Sequence, residues 1–179
     1  MRSFNVAQVV KSGNPVLPLG TLLLGMYGWQ EHAVASKSDM VPHRKLNRFI
    51  TPEMALGVLG GSSTTAFWGL MDIGKPRKGE TVVVSGAAGA TGSVAAQIAK
   101  LKGCRTIGIA GGKEKCRWLI DEAGLDGAID YKKEDVDQRL KELCPDGIDI
   151  FFDNVGGSIL EAATHIVEEN IDAIRAKFL

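Results

Sequence analysis

What this chain has little of narrows its function before any motif is read. Its 179 residues carry 21 lysines and arginines against 21 aspartates and glutamates, so the formal net charge is zero, and no basic block stands out. Nucleic acid and anionic membrane both call for concentrated positive charge, so neither is an expected partner. There are three cysteines, Cys104, Cys116 and Cys144. Their number is odd and their spacing lacks the pairing of a zinc site or a disulfide framework, which fits a reducing cytoplasm. Long apolar runs are missing too. Leu17 to Met26 is too short and too broken by glycine to span a bilayer, and MRSFNVAQVV has no extended apolar core. The hydrophobic content of 45% suits a globular fold with a real core. The length fits one domain, or a domain plus part of another.

What is there centres on residues 81 to 112, TVVVSGAAGATGSVAAQIAKLKGCRTIGIAGG. Thr81 to Ser85 is short, apolar and rich in β-branched residues, which predicts a buried parallel strand. Gly86, Gly89 and Gly92 follow it. Beyond them Val94, Ala95, Ile98, Ala99 and Leu101 fall at helical spacing, and Gly103 supplies a left-handed stop. Arg105 to Ala110 is a second β-rich run. The stretch therefore predicts strand, glycine turn, helix and strand, the βαβ unit of a dinucleotide-binding sheet. Amides at a helix start lack partners and carry the positive end of the helix dipole, so they hold a pyrophosphate where no side chain blocks its approach. The spacing is G-x-x-G-x-x-G in place of the commoner G-x-G-x-x-G. Close packing of helix on sheet is the other service such glycines provide.

The end of the second strand lacks something as well. An NAD enzyme places an acid about 20 residues past the glycines to bond the ribose 2′-hydroxyl. Here the residues are Ala110, Gly111, Gly112, Lys113, Glu114, Lys115, Cys116 and Arg117, an open backbone followed by three cations. A 2′-phosphate would repel a carboxylate and attract these cations, which favours NADP over NAD. The competing role for Lys113, Lys115 and Arg117 is the solvated face of the next helix.

The alternation continues with a helix over Lys113 to Glu122, a strand over Gly127 to Asp130, a helix over Lys133 to Cys144, a strand over Ile148 to Phe152 and a helix over Ser158 to Leu179. Four strands alternating with helices predict an α/β fold with a Rossmann-like doubly wound parallel sheet. Asn154 follows the fourth strand at its carboxyl end, where open sheets of this kind bind ligands, and there it either reaches a cofactor or stabilises its own turn. Residues 52 to 75 read as two short helices: one opened by Thr51 and Pro52, the other over Ser62 to Asp72. Residues 1 to 50 differ, with strands expected at Val6 to Val10 and Trp29 to Ala35 among irregular turns.

Several stretches together resemble one family. GMYGWQEHAV at 25 to 34, ALGVLG at 55 to 60, TAFWGL at 65 to 70, GETVVVSGAAGATGSVAAQIAKLKGC at 79 to 104 and CPDGIDIFFDNVGG at 144 to 157 are similar to the zinc-independent medium-chain dehydrogenase/reductases. Within them the likeness is to the NADP-dependent alkene reductases, the leukotriene B4 12-hydroxydehydrogenase, prostaglandin reductase and alkenal double-bond reductase group. The resemblance implies hydride transfer from NADPH to the β-carbon of an enal or enone, with a proton added at the α-carbon. It implies that Gly89, Ala90, Thr91 and Gly92 form the pyrophosphate turn, that Lys115 and Tyr131 hold the 2′-phosphate, and that Asn154 is a further cofactor contact. A homodimer is the expected assembly. No residue is assigned to catalysis or to a metal, since Tyr27 and His32, near the cleft by resemblance, are of types that more often pack and hydrogen-bond within a β segment.

The chain also departs from the family. Gly61 and Ser62 stand where the family usually has a Met-Pro pair. Residues 1 to 50 are expected to be part of a GroES-like substrate domain, and residues 51 to 179 a Rossmann-like NADP-binding domain incomplete at its C-terminal end, where THIVEENIDAIRAKFL resembles nothing in the family. A shortened product is the expectation, and with it a rival function: a non-catalytic NADP-binding piece. Quinone reduction is a third reading.

Overall fold

The computed structural model describes residues 3–35, 43–169 and 177–178. The chain divides into two compact units, Met1–Gly61 and Ser62–Leu179.

The first unit holds a three-stranded antiparallel sheet in the order β1-β2-β3, from β1 (Asn5–Gln8), β2 (Leu22–Gly25) and β3 (Arg44–Lys45). The short helix α1 (Pro52–Leu56) follows, and the Thr51 hydroxyl caps it by accepting from the Met54 amide at 3.2 Å. Proline at the first helical position suits a place where no amide partner exists. The strand expected over Trp29 to Ala35 is absent; Trp29 and Val34 are exposed and have no strand partner. Strand-like composition decided nothing there, because a strand needs a neighbour to pair with and a face to bury.

The boundary falls at the first residue of α2 (Gly61–Trp68), which widens into a π-helical turn over Gly69–Gly74 and stops at Lys75, whose φ of 53° is left-handed. The single helix expected to Asp72 is thus two geometries. Then come β4 (Thr81–Ser85), α3 (Ala90–Leu101), β5 (Arg105–Ala110), α4 (Lys113–Asp121), β6 (Gly127–Asp130), α5 (Val136–Leu143), β7 (Ile150–Phe152), α6 (Gly157–Glu169) and β8 (Lys177–Phe178). All strands of this sheet are parallel, in the order β6-β5-β4-β7-β8. Counted from β4 that is 3-2-1-4-5, the Rossmann order with its switch point beside β4. A fifth strand thus joins the expected four. The helix expected to run to Leu179 reaches Glu169, and Lys177–Phe178 pairs with Ile150 and Phe151; the stretch between lies outside the described residues.

Alternation along the strands builds a core on both faces. Val82, Val84, Ile150 and Phe152 meet Ala95, Ala96 and Ala99 of α3, together with Ala66, Leu70 and Leu119. Val83, Ile107, Ile109, Ile129 and Phe151 meet Leu140 of α5 and Ile159, Ala163 and Ile166 of α6. Every residue of β4 is buried, which is why it reads as an unbroken apolar run. Two aspartates fix the lower rim. Asp126, just before β6, accepts from the Thr106 amide at 2.7 Å and donates its own amide to the Thr106 carbonyl. Asp149, just before β7, makes the same pair of bonds with Thr81, the side-chain one at 2.8 Å.

Candidate functional site

The carboxyl ends of β4, β5, β6 and β7 share one rim. At β4 the chain turns through Gly86, with φ of 57°, into α3, whose N-cap is Gly89 in an extended conformation. No side chain caps this helix. Ala90, Thr91 and Gly92 fill its first turn, so their amides have no partner within the helix and point out along its axis. Gly89 and Ala90 are exposed, leaving the approach open. Each glycine has its own reason. A Cβ on Gly92 would run into the Gly86 carbonyl oxygen and stand 2.9 Å from the Ala87 Cα, backbone atoms that cannot swing aside. A Cβ on Gly86 would stand 3.3 Å from Val155 and 3.4 Å from Asn154, so the turn after β4 lies against the turn after β7. The irregular glycine spacing thus serves both proposed purposes: a bare helix start and close packing.

A hydrogen-bonded latch joins those two turns. The buried Ser85 hydroxyl donates to Asp153 Oδ1 at 2.6 Å and accepts from the Asn154 amide at 2.7 Å. Asn154 Nδ2 donates to the Ser85 carbonyl at 2.8 Å. Asp153 Oδ1 also accepts from the Val155 and Gly156 amides. Burial pushes the Asp153 carboxyl up, but the Ser85 hydroxyl and these two amides outweigh it and hold the carboxyl below the usual carboxylate range. Within the turn the bonds come from Asp153, whereas the Asn154 side chain ties the turn to the end of β4, and the bond from Nδ2 orients its Oδ1 as an acceptor. The composition of the DNVGG loop gave a turn, but nothing in it named Ser85, 68 positions away from Asp153, as the partner.

The second cluster lies at the tip of β5. Lys115 is exposed on the first turn of α4. Tyr131 follows β6 and donates its amide to the Ala110 carbonyl at 3.2 Å. A Cβ on Gly111 would stand 2.8 Å from the Tyr131 ring and 2.9 Å from Lys132 Cε, so both side chains lie over this glycine. Gly112, at φ of 103°, opens α4 without a side-chain cap. The fold thus gathers Tyr131 and Lys132 at the strand tip from which α4, bearing Lys115, begins; Gly89 to Gly92 sit at the head of the adjacent helix and Asn154 on the far side of β4. The sequence did not single out Lys132.

The strand order is that of dinucleotide-binding sheets, with the uncapped helix start and the β5 tip on the same rim. A family profile described as Zinc-binding dehydrogenase matches residues 90–170. The chain is 44% identical over 158 residues to the NADPH-dependent curcumin reductase of Escherichia coli, covering 88% of this chain and 45% of that protein. It is 42% identical over 171 residues to prostaglandin reductase 1 of Bos taurus, covering 91% of this chain and 50% of that one. This chain belongs to the zinc-independent medium-chain dehydrogenase/reductase family. The crystal structure of CurA from Vibrio vulnificus in complex with NADPH superposes with a TM-score of 0.83 at 42% identity, over 93% of this chain and 49% of that one. The chain spans about half the length of the curated relatives it matches. Within this member of the medium-chain dehydrogenase/reductase family, the Rossmann-like unit contains the uncapped helix start and the β5 tip described above.

Proposed function

We propose that this chain binds NADPH along the upper rim of its parallel sheet, and that the whole protein reduces the carbon-carbon double bond of α,β-unsaturated aldehydes or ketones. The observation that carries the reading is the pairing of an uncapped, exposed helix start at Gly89 with Lys115 and Tyr131 around the tip of the next strand. A dinucleotide phosphate asks for two anion sites in that relation. The residues present fit the group: Gly89 and Ala90 lie exposed at a helix start that no side chain caps, and Gly92 lets that start pack directly against the Gly86 carbonyl. In this reading the amides of Ala90, Thr91 and Gly92 receive the pyrophosphate. Lys115 supplies charge to the 2′-phosphate, and the Tyr131 hydroxyl a hydrogen bond. Asn154 Oδ1, oriented by the Ser85 carbonyl, accepts from a ribose hydroxyl. Bound NADPH supplies the hydride, so the chain's own task is to bind and orient. The substrate class comes from the likeness to the curcumin and prostaglandin reductases.

Two titrations test this. Fluorescence of NADPH and of NADH, each followed as protein is added, should show tighter binding of NADPH. Absorbance of NADPH mixed with the chain and an alkenal should then fall. Absence of NADPH binding by folded protein would overturn the whole reading. Binding without consumption would assign the chain to cofactor binding alone, and consumption with quinones but not alkenals would replace the substrate class.

A further inference from the structure

The groups around the tip of β5 come from two separate turns, and one buried carboxylate ties those turns together. Asp130 ends β6 opposite Ala110 of β5 and is only 7% exposed. Its Oδ1 accepts from the Gly112 amide at 2.7 Å and from the Lys132 amide at 3.2 Å. Gly112 begins α4, which carries Lys115; Lys132 follows Tyr131 directly. A single oxygen atom therefore sets the separation between the segment bearing Lys115 and the segment bearing Tyr131 and Lys132. The Asp130 amide donates in turn to Glu134 Oε2 at 2.7 Å, and the Lys133 and Glu134 amides donate to the Asp130 carbonyl, which ties the backbone of the second turn.

A buried carboxylate next to an anion-binding tip is at first sight out of place, because it repels the charge the tip is to receive. Its position makes sense if holding the two turns matters more than the repulsion. The Lys132 stem crosses Gly111 beside the Tyr131 ring, at the strand tip from which α4, bearing Lys115, begins.

We infer that Asp130 is the positioning residue for 2′-phosphate selection, and that Lys132, which it places, is a further specificity-determining cation beside Lys115. This rests on the reading of the β5 tip as the 2′-phosphate side. The pyrophosphate turn after β4 makes no bond to Asp130, so recognition shared by NADPH and NADH stays outside its reach.

The test is binding of NADPH and NADH, and of adenosine 2′,5′-bisphosphate and 5′-AMP, to the full chain and three variants. Asp130→Ala should lower the NADPH-to-NADH affinity ratio about tenfold, as expected for loss of hydrogen bonds that hold a charged contact in place, with NADH affinity unchanged. Asp130→Asn keeps an oxygen that can accept from both amides and removes the repelling charge, so it should retain or raise the ratio. Lys132→Ala, an exposed position that leaves the fold alone, should lower the ratio about fivefold through loss of one charge-assisted contact. If Asp130→Ala does not fold, the Asp130→Asn and Lys132→Ala results decide the matter. An unchanged ratio in Lys132→Ala, or a ratio in Asp130→Asn that falls as in Asp130→Ala, overturns the inference while the wild type still prefers NADPH. A wild type that binds neither nucleotide overturns the underlying reading and this inference with it.

Discussion

The two units of this chain bury their strands in opposite ways. In β4 and β5 every residue from Thr81 to Ser85 and from Thr106 to Ala110 is buried, with helices covering both faces. In the first unit β1 has no buried residue, and Leu23, Leu46 and Ala55 make up its buried apolar side chains among the described residues. Phe4, Val10, Val16, Leu19, Trp29 and Phe49 are all exposed there. Hydrophobic stabilisation follows apolar area removed from water, so the resistance of this chain to unfolding resides mainly in the α/β unit. The difference teaches that the proposed ligand contacts of Gly89 to Gly92 and Asn154 are held by a rigid support, whereas a change in the first unit meets little packing to disturb.

Breaking the stronger unit at its tightest point should have the largest effect. Gly92→Val forces a branched side chain against the Gly86 carbonyl, and we expect a stability loss of about 3 kcal/mol or more with NADPH binding abolished, read by thermal melting and by titration. A melting curve like that of the wild type would show the turn to be far more pliable than its geometry indicates. Next, Lys115→Glu leaves the core intact and should weaken NADPH binding by about 1–3 kcal/mol while NADH binding changes much less. Equal weakening of both would remove the 2′-phosphate assignment.

Acid should loosen the same unit. Asp153 and Asp126 both have carboxyls held below the usual carboxylate range: burial raises each, and for Asp126 the Lys100 ammonium and the Thr106 amide outweigh it. Because the folded values lie below the unfolded one near 4, their stabilisation is complete above about pH 4 and is lost as pH falls through the folded values. Melting temperature measured from pH 6 down to pH 2.5 should therefore decline at the acid end, and Asp126→Asn should flatten part of that slope. The smallest change sharpens the contrast. Trp29→Ala, at a side chain 77% exposed, should alter stability by no more than about 0.5 kcal/mol despite the size of the residue removed.

Much of the α/β unit was legible in the residues. The bounds of β4 and β5 follow from β-rich runs closed by glycine, and Gly103 adopts the left-handed φ of 78° that ends α3. Burial on both faces makes such runs unambiguous. Helix ends were less so: α5 begins at Val136, not Lys133, since the Asp135 side chain caps it by accepting from the Gln138 amide. The strand expected at Trp29 to Ala35 failed because its composition resembles a strand while pairing is a property of the neighbours. At the site, Gly89 and Gly92 were readable from local spacing. Ser85, Asp130 and Lys132 were not, because their roles depend on bonds or packing between turns that follow different strands.

The paired bonds of Asp126 with Thr106 and of Asp149 with Thr81 act as a ruler for the sheet. Strands joined by tight hairpins inherit their alignment from the turn, but parallel strands separated by whole helices have no such guide. Sliding β6 or β7 by one residue would unhook its aspartate from the neighbouring strand and also turn Ile129 or Phe151 to the wrong face. The lower rim thus sets the height at which each strand finishes, and with it the level of the glycine turn and the lysines to which the proposed nucleotide site is assigned.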